Sequence, residues 1–223
     1  MTKNILITGA GRGIGRDLAF AFAGQGCSLA LNDITPINVE AVAAQILAAG
    51  GQAHVFVQDI SKKVTVQALA NEISDNLGGL SAVIHCARVE PRAPVLEMDE
   101  WDLHRVFEIN TIGTFLMIQT FGRILRLQGG GVFLCVFPLA GRSQSPQASA
   151  FFASQMALPA LIRSAAPELA AANMTLYGLT SGLPQHLTDS HAFADLPSAA
   201  LALCQNPSLS VGSIFNFGES DAQ

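Results

Sequence analysis

Seven short apolar runs, at residues 4–8, 28–32, 53–57, 82–85, 131–137, 174–179 and 213–217, alternate with six longer segments of helical spacing. The helical segments fall at 14–23, 37–49, 63–76, 98–127, 148–172 and 196–204. Continuous apolar runs of this length suit strands buried on both faces, and a helix between successive strands is the crossover that parallel pairing requires. The chain is therefore expected to be α/β, with a seven-stranded, mostly parallel sheet flanked by helices and doubly wound as a single domain over residues 1–223. Gly50-Gly51 and Gly78-Gly79 each follow a helical segment, as left-handed caps do. Pro159 and Pro167 interrupt the segment at 148–172. An interior proline costs about 3 kcal/mol, so this helix is expected to kink, to break, or to begin anew near Pro159.

Half of the residues are hydrophobic and 13% are charged, against a usual charged share of about 25%. The formal charge is −5, with no basic run and no aromatic-basic interleaving, so nucleic acid is not an expected partner. No apolar run reaches the length of a membrane span, and the N-terminus does not read as a signal peptide. Cys27, Cys86, Cys135 and Cys204 are widely spaced with no CxxC pair, which points to reduced core thiols and a cytoplasmic location. His186 and His191 lack a partner motif, and no metal site is expected. Tyr177 is the single tyrosine, and the lysines are Lys3, Lys62 and Lys63.

The first strand runs into Thr8-Gly9-Ala10-Gly11-Arg12-Gly13-Ile14-Gly15, with a helix directly behind it. Glycines at 9, 13 and 15 permit a tight turn and a close backbone approach to a pyrophosphate, which then meets the free amides at the positive end of a helix. Asp33 ends the second strand, where a carboxylate accepts hydrogen bonds from an adenosine ribose and repels a 2′-phosphate, favouring NAD over NADP. Arg12 can reach a 2′-phosphate or lie at the surface. Asp59, just past the third strand, suits either an adenine amino group or a helix cap.

In these residues the sequence resembles the short-chain dehydrogenase/reductase family, and within it the 3-oxoacyl-carrier-protein reductases. Thr8 to Gly15 resembles its TGxxxGIG loop, Asp33 its ribose acid and Asp59-Ile60 its adenine contact. Asn110 resembles the asparagine of the long fourth helix, Ala140-Gly141 the end of the serine motif, and Ser181-Gly182 the Pro-Gly turn after the sixth strand. Asn216-Phe217-Gly218-Glu219 resembles a degraded C-terminal signature. The resemblance spans the chain and loosens after residue 85. It implies a Rossmann-type fold, a nicotinamide dinucleotide held at Gly9, Arg12, Gly13, Ile14, Gly15, Asp33, Asp59, Ile60, Ala87 and Gly182, and hydride transfer between that nicotinamide and an alcohol or ketone. It also implies a homodimer or homotetramer formed through segments 98–127 and 148–172.

Of the four residues that carry the family's chemistry, the resemblance preserves one, Asn110. The serine position falls on Pro138, the tyrosine on Phe151 and the lysine on Gln155. The family's Asn-Asn-Ala-Gly after the fourth strand reads His85-Cys86-Ala87-Arg88. Arg88 can pair with phosphate, fold over the cleft or point to solvent, and solvent is the expectation. His85 reads as a satisfied buried histidine and Tyr177 as a buried or rim aromatic. The covering segment after the sixth strand shrinks to residues 183–195. Three readings follow: a nucleotide-binding relative that does not perform the usual carbonyl reduction; an oxidoreductase whose proton comes from water or from Ser143, Ser145 or His186; and an interaction protein with an empty cleft. The substrate is not legible.

Overall fold

The computed structural model describes residues 3–137, 139, 146–183, 187–189, 192–205 and 211–217. Eight strands form one sheet in the order β3-β2-β1-β4-β5-β6-β8-β7. They are β1 (Asn4–Thr8), β2 (Ser28–Asp33), β3 (Gln52–Val57), β4 (Ala82–His85), β5 (Gly131–Val136), β6 (Met174–Thr180), β7 (Ala192–Phe193) and β8 (Ile214–Phe217). Every pairing is parallel. The seven expected strands are all present, and the sheet gains β7, a two-residue strand beside β8.

Side-chain alternation along the strands builds a core on each face. Ile5, Ile7, Leu29 and Leu31 meet Leu18 and Phe22 of α1 (Gly13–Gly24), Val39 and Val42 of α2 (Pro36–Ala48) and Leu203 of α7 (Leu196–Gln205). On the other face Leu6, Ala30, Val83 and Phe133 meet Leu69 of α3 (Lys63–Leu77), Phe121 of α5 (Thr114–Leu127) and Leu158 and Ile162 of α6 (Ser149–Ala170). Gly78 ends α3 in the left-handed conformation, as its position predicts.

The structure sharpens two expectations about helices. The run at 98–127 is helical without a break from Glu100, but its middle differs: α4 (Glu100–Phe107) passes into a π-helical turn, Glu108–Gly113, which passes into α5. Gly113 lies close to the segment before α3, where a Cβ would stand 2.6 Å from Ile60 Cδ1. In α6 both prolines lie inside one uninterrupted helix, so it neither breaks nor restarts at Pro159. The packing of Phe151, Leu158, Ile162 and Ala166 against the sheet outweighs the lost hydrogen bonds. Among the described residues no helix is long and apolar enough to cross a membrane.

Candidate functional site

The C-terminal ends of β1, β2 and β4 open into a cleft of about 490 Å³. This is where β1 stands between β2 and β4, so the chain leaves it in opposite directions, which is the usual ligand position in open α/β sheets. Gly9, Arg12, Gly13, Ile14, Gly15, Asp33, Asp59, Ile60 and Ala87 all line the cleft, so nine of the ten expected cofactor positions converge. Gly182 has a left-handed backbone (φ +76°) after β6 and is not among the lining residues described.

The glycines serve different ends. Gly9 has φ +65°, and a Cβ would stand 2.8 Å from Ala87 Cα, so the loop packs directly on the end of β4. Gly15 lies against the backbone, where a Cβ would come within 2.1 Å of Gly9 O. Gly13, at φ +52°, faces open space. No side chain caps α1, whose first-turn residues Gly13, Ile14 and Gly15 line the cleft. An uncapped helix start beneath an open glycine backbone fits an anionic pyrophosphate. Asp33 is held at both oxygens: Oδ2 accepts from Gly11 N at 2.9 Å and Oδ1 from Thr35 N at 3.0 Å. Asp59 does not cap α3, whose N-cap is Lys62; its Oδ1 accepts from Ser61 N at 2.9 Å in a tight turn.

Arg88 is corrected from its expected solvent position. It is half-buried, lines the cleft and folds back so that Nη1 donates to Cys86 O at 3.3 Å. Arg92, paired with Glu90 at 2.8 Å, and Arg105, stacked 5.4 Å from the Trp101 ring centre, also line the cleft and escaped notice in the sequence, where each reads as an ordinary surface charge.

Beyond the cleft lies a closed cluster. Asn110, in the π-turn, donates through Nδ2 to Val89 O and to Ser154 Oγ, each at 2.9 Å, and accepts from Val89 N at 2.9 Å. Ser154 donates in turn to Phe151 O at 2.7 Å. Phe151 is fully buried and Gln155 is 2% exposed. Ser154 was missed in the sequence because a helical serine beside apolar residues gives no sign of a partner 44 positions away. Tyr177 does not join this cluster: it is buried in the core on the opposite face, edge-on to Phe215 at 5.7 Å. Pro138, Ala140, Gly141, Ser143, Ser145, His186, His191, Gly218 and Glu219 lie outside the described residues. In the short segment at 183–195, Asn216 Nδ2 donates to Leu183 O at 3.3 Å, Asp189 Oδ2 accepts from Ile214 N at 2.7 Å, and β7 extends the sheet. These described parts are fastened to β8.

A family model described as short chain dehydrogenase matches residues 3–192. The chain belongs to the short-chain dehydrogenase/reductase family. It is 29% identical over 180 residues to the 7alpha-hydroxysteroid dehydrogenase of Escherichia coli strain K12, covering 81% of this chain and 70% of that protein. It is 31% identical over 171 residues to the estradiol 17-beta-dehydrogenase 11 of Mus musculus, covering 77% of this chain but only 57% of the mouse protein's length. A solved structure of a 7 alpha-hydroxysteroid dehydrogenase complexed with NADH and 7-oxo glycochenodeoxycholic acid superposes with a TM-score of 0.84 at 27% identity, covering 99% of this chain and 93% of that one. Family membership therefore rests on sequence and fold together.

Proposed function

We propose that this member of the family binds a nicotinamide dinucleotide in the β1-β2-β4 cleft and does not perform the tyrosine- and lysine-dependent reduction of a carbonyl. One observation carries the reading: Phe151 and Gln155, one turn apart on α6, are buried at the positions the family gives to its acid and its lysine. Phenylalanine has no proton to donate, and a carboxamide carries no charge to shift a neighbour's pKa. Loss of a general acid alone costs roughly 10²- to 10⁴-fold in rate. The retained Asn110 has its side chain committed to Val89 and Ser154.

NAD is preferred to NADP, because Asp33 is fixed by two amides at the ribose end. The open glycine backbone and the uncapped start of α1 receive the pyrophosphate. Four free, buried cysteines support a reducing, cytoplasmic setting. The chain forms a homodimer through α5 and α6. Between these helices lies an apolar groove of about 300 Å³, lined by Phe115, Ile118, Leu161 and Leu169, with Arg123, Arg126 and Glu168 beside them, a mix of signs that suits a self-complementary contact.

Calorimetric titration with NAD, NADH, NADP and NADPH tests the cofactor: NAD and NADH bind more tightly than their 2′-phosphorylated counterparts, and absence of binding at millimolar ligand overturns the assignment. Turnover of alcohols or ketones by the wild-type protein overturns the catalytic part. Sedimentation equilibrium tests the dimer, which Phe115→Glu converts to monomer.

A further inference from the structure

His85 ends β4, fully buried between β1 and β5. Both ring nitrogens are engaged: Nδ1 lies 2.8 Å from Thr8 Oγ1 and Nε2 lies 3.1 Å from Thr114 Oγ1. Proton counting gives each bond a direction. The single hydrogen of the Thr114 hydroxyl goes to Asn110 O at 2.6 Å, because a carbonyl oxygen only accepts. Toward His85, Thr114 therefore accepts, and Nε2 carries the ring hydrogen. Burial pushes the imidazole pKa down to about 4, so the ring is neutral at pH 7 and Nδ1 is an acceptor. The Thr8 hydroxyl then donates to Nδ1, while its lone pairs face Cys86 N at 3.2 Å and Ala87 N at 3.3 Å.

We propose that His85 is a positioning residue: held as the Nε2–H tautomer, it carries a one-way series of hydrogen bonds from the Cys86 and Ala87 amides, through Thr8 and Thr114, to the Asn110 carbonyl, and so fixes the floor of the cleft to the π-turn. The elements it joins are those that shape the site. Cys86, Ala87 and Val89 line the cleft, and Thr8 precedes Gly9, the residue packed on Ala87. The Asn110 side chain closes the series from the other end by holding both backbone groups of Val89. The opposite tautomer would set the Nε2 lone pair against a Thr114 oxygen whose hydrogen is already committed to Asn110. The family pattern has asparagine at this position, so the histidine series is a feature of this chain's own residues.

Calling the floor part of a cofactor site rests on the proposed function; the hydrogen-bond series does not. Long-range ¹H–¹⁵N correlation on the ¹⁵N-histidine-labelled full chain reads the tautomer directly, with the His85 signals identified by their loss in His85→Asn. The Nε2–H pattern is expected at pH 7, and an Nδ1–H or imidazolium pattern overturns the proposal. Amide hydrogen exchange provides the second readout. Thr114→Val, nearly isosteric, is expected to speed exchange at Cys86 and Ala87 about tenfold although Thr114 contacts neither amide, whereas Thr114→Ser leaves exchange unchanged. Unchanged exchange in Thr114→Val overturns the series. Failure of the wild-type protein to bind NADH, with both readouts as expected, overturns the cofactor assignment and leaves the positioning role of His85 in place.

Discussion

The two halves of the site treat their polar groups in opposite ways. Around β1, β2 and the start of α1, Asp33 and Asp59 are braced by backbone amides and the glycine turn borders an open cleft: a Cβ on Gly13 would meet nothing within 4 Å, and α1 has no side-chain cap. Around α6 and the π-turn, Asn110, Ser154, Thr114 and His85 bond to one another and to backbone, with Phe151 packed beneath. The first half is arranged to receive groups from outside, and the second has satisfied itself internally. The cleft and the closed cluster can therefore vary separately, because the glycine turn is built by β1 and α1 and the Phe151–Ser154 contacts by α6 and the π-turn.

The largest effect is expected at Gly15, where a Cβ would stand 2.1 Å from Gly9 O. Gly15→Ala should cost about 3 kcal/mol or more in urea unfolding, because backbone lies on both sides of the clash. Gly13→Ala, strained only in its backbone at φ +52°, should cost about 1 to 2 kcal/mol. Equal losses would show that the loop's openness does not separate the two glycines.

The next effect is one of pH. His85 has a folded-state pKa of about 4, below the 6.5 of an exposed imidazole. Between these values the unfolded chain binds the proton that the folded chain refuses. The stabilising contribution is therefore complete above about pH 6.5 and is lost as the pH falls toward 4, on the order of 3 kcal/mol in all. The Cys86 thiol, pushed up to about 12 by burial, and the Cys135 thiol, raised further, stay neutral throughout this window. Thermal melts across it should show the loss in wild type and a flatter profile in His85→Leu.

Asn110→Ala leaves both backbone groups of Val89 without their partner and should destabilise by about 2 kcal/mol in chemical denaturation. Phe151→Tyr should have the smallest effect, about 1 kcal/mol, as the cost of burying a phenolic hydroxyl in a fully covered position. On its own it should not give turnover in an NADH-coupled ketone assay, because Gln155 still lacks a charge. Measurable turnover in this single variant would show that the second half is less closed than the first comparison implies.

Much of the fold was legible because it follows from local rules. Continuous apolar runs mark strands buried on both faces, as at Ile5, Leu6 and Ile7, and the glycine positions 9 and 13 carry the positive φ values the loop needs. The cleft was legible for the same reason, since it is made by residues adjacent in sequence to strand ends. What escaped depends on contacts between distant segments. The π-turn keeps a helical pattern of apolar residues, so the change of helix type between α4 and α5 leaves no mark in the sequence. Pro159 reads as a breaker by propensity, yet the buried face of α6 holds the helix through it. Arg88 has no sequence signal for the bond to its own backbone two residues back. Residues 192–193 are too few to announce a strand before β8 is in place beside them.

The burial of Phe151 and Gln155 also bears on how the site changes over evolutionary time. In the genetic code a phenylalanine codon becomes a tyrosine codon, and a glutamine codon a lysine codon, by a single base substitution. A tyrosine at 151 or a lysine at 155 is therefore one base substitution away. Their packing costs differ: a phenol at 151 would bury one hydroxyl, at about 1 kcal/mol, whereas an ammonium at 155 would enter a position that is 2% exposed. Under selection for folding stability the lysine would be the harder of the two residues to accommodate, because a buried ammonium needs a partner for its charge.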